Sequence, residues 1–72
     1  MNSPELLDIV ELLVNLPEHQ QMMGSQGTIV ECYDHNHFEV EFSNELGETT
    51  ALCPLAANQF MVVWKAKTRA VG

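Results

Sequence analysis

The sequence predicts a mainly β protein: a small antiparallel barrel of four to five strands, with a short helical turn before the last strand. Three observations carry this expectation. Phe38-Glu39-Val40-Glu41-Phe42 alternates apolar and acidic residues without a break, which is the two-residue period of a strand with one face in the core and the other in water. Runs rich in β-branched and aromatic residues flank it, at 28–33 and 59–64, as strands prefer. Gly, Asn, Asp and Ser cluster at 24–27, 34–36 and 43–47, supplying turn chemistry between the runs.

The elements follow in order. Ser3-Pro4-Glu5, with Leu6, Leu7, Val10, Leu13 and Val14 behind it, has the cap, the first-position proline and the apolar spacing of a helix reaching about Leu16. Ile9, Val10, Leu12, Leu13 and Val14 make an equally good buried strand, and periodicity does not separate the two in so short a run. Residues 16–27 hold one Pro and two Gly without alternation and read as a long connection closing in a Gly-x-x-Gly turn, with Leu16, Met22 and Met23 folded back on the core. A strand over 28–33, a turn at 34–36, a strand over 37–42, a turn at 43–47 and a strand over 48–53 form an antiparallel meander. Pro54-Leu55-Ala56-Ala57-Asn58 suits the single helical turn, and residues 59–64 the last strand. Together these make a strongly bent barrel of the SH3-like kind, since a sheet this small survives by curling closed and removing its edges.

With 72 residues there is one domain, placed at 1–64, and a basic, frayed tail at 65–72. All ten carboxylates lie in the first part, and Lys65, Lys67 and Arg69 lie in the second, for a net charge of −7. Phosphate recognition draws on Lys and Arg that displace counterions, so nucleic acid is a poor partner for the body. A basic or neutral protein, such as one encoded nearby, is the better expectation. The 46% hydrophobic content suits a folded chain. No apolar run is long enough to span a bilayer and no secretory signal opens the chain, so the cytoplasm is the expected location. Exposed apolar residues near the N-terminus leave room for a homodimer.

The residues also resemble a known family. Leu16-Pro17-Glu18-His19, Gly24-x-x-Gly27-Thr28-Ile29-Val30-Glu31, Phe38-Glu39-Val40-Glu41-Phe42 and Gly47-Glu48-Thr49 are similar, in order and spacing, to a family of short bacterial and cyanobacterial proteins catalogued as domain of unknown function 4926. The likeness runs from about Leu6 to Val63. It implies an SH3-like barrel related to the KOW and Tudor types, and a first strand over residues 8–14 in place of the helix. That strand is also what the 24–42 arrangement needs as a pairing partner. The resemblance transfers no catalytic residue, and some such proteins are suspected partners of neighbouring toxin-like proteins. The chain departs from the pattern at Gln20, Gln21 and Gln26 and at Met22-Met23.

Several residue sets carry candidate chemistry. Cys32-x-x-His35-x-His37, with Cys53 elsewhere, has the residue types of a zinc or redox site but no standard ligand spacing. Cys32 shares strand parity with Thr28 and Val30, which makes it a small buried hydrophobe, so no metal and no cofactor is expected. Neither a Cys32-His35 nucleophile nor a Glu39-Glu41 acid/base pair has a third group or a pocket, so the chain is expected not to be an enzyme. Tyr33 and Trp64 could share an aromatic cage. The outward row Glu31, Glu39 and Glu41, joined by Glu48, is the leading partner-binding surface, with Met22 and Met23 as an adaptable second contact. The expected function is a non-catalytic protein-interaction module, antitoxin-like or accessory, docking a basic partner on that face. The alternatives are an RNA- or ribosome-associated KOW-like barrel and a small metal or redox accessory protein.

Overall fold

Alternation builds the central strand as its sequence predicts: β3 (His37–Ser43) buries Phe38, Val40 and Phe42 and leaves Glu39 and Glu41 half exposed on the other face. The computed structural model describes residues 3–66. Within them β1 (Ile9–Leu12), β2 (Gln26–Cys32), β3, β4 (Thr49–Ala56) and β5 (Phe60–Trp64) form one antiparallel sheet in the order β4-β3-β2-β1-β5. The first four strands are a meander, and β5 returns to flank β1. A mainly β fold of five antiparallel strands, with one helical turn before the last, is therefore what the chain forms. Closure is incomplete, because β4 and β5 end the sheet without sharing a ladder.

Every strand contributes to a single buried cluster, and Leu16 reaches it from the first loop. Phe38 and Phe60 meet edge to face, with centroids 5.7 Å apart, the arrangement the ring quadrupoles favour. This contact ties β3 to β5 across the core.

The Ser3-Pro4 start signal does not produce a helix. The Glu5 N–H donates to the Asp8 carboxylate (2.9 Å) and the Asp8 N–H to the Glu5 carbonyl (3.1 Å), closing a tight turn with Leu7 at φ 72°. The chain leaves that turn as β1, which is shorter than the expected 8–14. Beyond Leu12 the backbone bends into the first loop, although Leu13 N–H still donates to the Gln59 carbonyl (2.9 Å).

Four other expectations are corrected. Cys32 is exposed, not buried. Its assumed parity fails on two counts: Gly27 and Ile29 are the buried residues of this strand, not Thr28 and Val30, and the register shift between Ile29 and Glu31 sets Cys32 opposite the buried Phe38 at the end of the strand, where the thiol is exposed. Pro54 lies inside β4, and the helical turn falls later, at Ala57–Gln59. An edge strand accepts proline because the missing N–H is one that no neighbour needs. Met22 and Met23 do not fold onto the core; they are 71% and 63% exposed. Lys65 is not a free tail residue, since its ammonium lies 2.6 Å from the buried Asp8 carboxylate. Ala66 is tied there too, its N–H donating to Asp8 Oδ1 (3.0 Å), and the rest of the expected tail, 67–72, lies outside the described residues. Among the described residues no helix is long and apolar enough to cross a membrane.

Candidate functional site

The outer face of the β2–β3 hairpin collects the carboxylates. Thr28 stands opposite Glu41 and Ile29 opposite Val40, and the register shift then passes over Val30 and sets Glu31 opposite Glu39. Two like charges thus occupy directly opposed positions, where cross-strand neighbours come within about 5 Å at Cβ. Glu31 is exposed, and Glu39 and Glu41 are half exposed. The Tyr33 hydroxyl donates to Glu39 Oε1 (2.9 Å) and the Thr49 hydroxyl donates to Glu41 Oε2. Both donors are neutral. Among the described residues none of the three glutamates has a cationic partner, and the single Lys or Arg there, Lys65, is engaged by Asp8 and Glu5. Among the described residues nothing cationic lies against this face.

Glu48 does not join the row. It sits in the β3–β4 turn, where Asn44 Nδ2 donates to its Oε1 (2.9 Å) and its own N–H donates to Asn44 Oδ1 (3.0 Å). Met22 and Met23 cap the first loop, held by Met22 N–H to Ser25 Oγ (3.3 Å) and Met23 N–H to Asn15 Oδ1 (2.8 Å). No described hydrogen bond links this loop to the glutamates, so the two expected contact surfaces are separate features.

Residues far apart in sequence complete the acidic face in a way sequence reasoning missed. Ile9, Gln26, Thr28, Glu41 and Ser43 line a shallow groove on it, and Gln26 Nε2 donates to Glu11 Oε1 (3.3 Å) at its margin. No local signal could have found this groove, because three strands assemble it.

The cysteine and histidine candidates are dispersed. Cys53 is fully buried opposite Val40, whereas Cys32 lies exposed at the far end of β2. Partial desolvation, with Glu31, Asp8 and Glu5 nearby, pushes the Cys32 thiol up, and burial does the same for Cys53; both changes disfavour the thiolate that a metal or a nucleophilic reaction needs. His37 Nδ1 is 2.8 Å from Asp34 Oδ1 in the β2–β3 turn, and His35 is exposed in the same turn. Among the described residues no three His, Cys, Asp or Glu side chains converge to hold a metal. Tyr33 and Trp64 form no ring pair; the described aromatic contact is Phe38 with Phe60.

Comparison with known proteins adds one match. The family described as Domain of unknown function (DUF4926) matches residues 6–62. No curated protein and no solved structure matches the chain.

Proposed function

The chain belongs to the family described as Domain of unknown function (DUF4926), and on that premise we propose that it is a non-catalytic protein-interaction module that docks a basic partner on its acidic outer face. The observation that carries this reading is the direct opposition of Glu31 and Glu39, with no cation beside them among the described residues. Opposed like charges disfavour the sheet by a few tenths to about 1 kcal/mol. A positively charged surface laid across β2 and β3 would remove that repulsion and gain charge-assisted hydrogen bonds. Before contact, the uncompensated field would steer such a partner inward. A cytoplasmic accessory or antitoxin-like protein of a bacterium, working with the product of an adjacent gene, fits this surface.

The test uses purification from the native host, followed by a binding titration with the recovered partner. Replacing Glu31, Glu39 and Glu41 together by Gln removes three exposed ion pairs of roughly 0.5 kcal/mol each, and is expected to weaken binding about tenfold. Raising salt should weaken the wild-type complex in the same direction. Binding that ignores both the substitutions and the salt overturns the proposal.

A further inference from the structure

Trp64 reaches the outer face of the sheet because β5 carries a bulge. Phe60, Val62 and Trp64 share strand parity, so unbroken alternation would send all three side chains to the core. The ladder instead sets Val10 opposite Val62 and Ile9 opposite Trp64, which makes Val63 an extra residue. Such an insertion re-aims the side chains beyond it. Phe60 is buried, whereas Trp64 is exposed and stands beside the half-buried Ile9 on the face away from the core.

One row of outward side chains then crosses the whole sheet: Trp64, Ile9, Thr28, Glu41 and Leu52 are successive cross-strand neighbours. The groove lined by Ile9, Gln26, Thr28, Glu41 and Ser43 follows this row, and beyond Ile9 and Gln26 it opens into a wider hollow walled by Val63 and Trp64. Its two ends differ in chemistry. Val63, Trp64 and Ile9 make one end apolar. At the other, Glu41 Oε2 accepts from the Thr49 hydroxyl and Oε1 has no hydrogen-bond partner among the described residues. Glu39 continues the negative charge along β3.

We propose that this groove seats an extended segment of the basic partner in which an apolar side chain lies two residues from an arginine, the apolar one against Trp64 and Ile9 and the guanidinium at Glu41. The proposal rests on the acidic face being a docking surface and names what that surface reads. Complementarity selects the occupant. A purely apolar segment would strip water from Glu41 without replacing it, and a purely cationic one would leave Trp64 and Ile9 in water. A second copy of this chain offers no free cation among the described residues, since Lys65 is held by Asp8 and Glu5. The groove is also too shallow to enclose a small molecule as metabolite pockets do. At about 4.8 Å per strand, Glu41 stands about 12 Å from the midpoint between Trp64 and Ile9. Two residues of an extended chain cover about 7 Å of that, and the aliphatic stem of the arginine, laid along Thr28, covers the rest. Arginine suits the place better than lysine because its guanidinium is the more weakly hydrated cation.

The experiment is an NMR titration of the isotope-labelled full chain with three blocked heptapeptides: Gly-Ser-Leu-Ser-Arg-Ser-Gly, the same peptide with its leucine made glycine, and the same peptide with its arginine made glutamine. The first is expected to bind with a Kd of about 1 mM and to move the Trp64 indole signal and the Thr28 and Glu41 amides. Each altered peptide should bind about threefold to fivefold more weakly. Ile9→Thr, which keeps a β-branched residue at a half-buried outer position, and Glu41→Gln should each weaken the first peptide by a similar factor; if Ile9→Thr fails to fold, Trp64→Gln replaces it. Equal binding of the three peptides, no binding up to about 10 mM, shifts that bypass Trp64 and Glu41, or folded variants that bind like the wild type would each overturn the proposal. So would a rise in affinity of about tenfold on replacing Lys67 and Arg69 by Gln, because the chain's own tail would then be the occupant. The acidic-face reading fails separately. A native partner indifferent to salt and to the three glutamine substitutions sinks that reading, whereas a salt-sensitive partner that binds Ile9→Thr as tightly as the wild type sinks the groove alone.

Discussion

Gly27 is where a single added methyl group would matter most. A Cβ there would lie 2.7 Å from Val40 Cγ1, 2.8 Å from the Glu41 carbonyl oxygen and 3.0 Å from Phe42 Cδ1. The carbonyl belongs to the neighbouring strand and cannot retreat without opening the β2–β3 ladder. Gly27→Ala is therefore expected to destabilise the protein by about 2 kcal/mol and to lower Tm by roughly 10 °C; an unchanged melting curve would refute the close approach. In the sequence Gly27 reads as the second glycine of a turn. The structure divides the pair: Gly24, at φ 93°, makes the turn, and Gly27 is a buried strand residue. Both glycines look alike in sequence because the need for a missing Cβ arises from a strand that passes nearby, not from the local chain. The same holds for the cysteines, which both stand opposite buried β3 residues, Val40 for Cys53 and Phe38 for Cys32; Cys53 lies within β4 and is buried, whereas Cys32 is the last residue of β2 and is exposed.

At the scale of the element, strands differ in how far their own pattern describes them. β3 is legible throughout because its alternation is unbroken. β2 is not, since its register shift depends on its partner and changes the phase halfway along. That shift brings Glu31 to face Glu39, so Glu31→Gln should raise stability by a few tenths to about 1 kcal/mol. The gain should be largest at low ionic strength and shrink as salt screens the pair. Urea denaturation at low and high salt measures it, and a loss of stability at low salt would show that the opposed charges do not repel. β4 was legible up to Cys53 and then misread, because Pro54 signals a break unless the strand happens to be an edge.

At the scale of the whole molecule, one buried ion pair joins the two ends of the described chain. Asp8 has no exposed surface, yet its carboxylate accepts hydrogen bonds from Lys65 Nζ (2.6 Å), the Glu5 N–H (2.9 Å) and the Ala66 N–H (3.0 Å). Burial alone would raise its pKa; the bonds from Lys65, Ala66 and Glu5 outweigh that and hold it below the ordinary 3.8. The hydrogen bond to Asp8 raises Lys65 above its ordinary 10.5, against a smaller opposing effect of burial. A lowered acid stabilises the fold above its unfolded pKa and a raised base stabilises it below its own. Stability should thus hold between about pH 4 and about pH 10, falling as Asp8 protonates on the acid side and as Lys65 deprotonates on the alkaline side. Lys65→Met strands a buried carboxylate and should cost about 3 kcal/mol, and adding Asp8→Asn should recover part of that loss and flatten the acid limb. Additive losses in urea titrations across pH would refute the coupling. From the sequence alone it followed that this is a small acidic β protein with Phe38, Val40 and Phe42 inside and Glu39 and Glu41 outside, because alternation and composition are local properties. Only the tertiary structure decided that Glu31 faces Glu39, that Lys65 belongs to Asp8 and that β4 and β5 end the sheet, because each depends on pairing between segments distant in sequence, which no local pattern encodes.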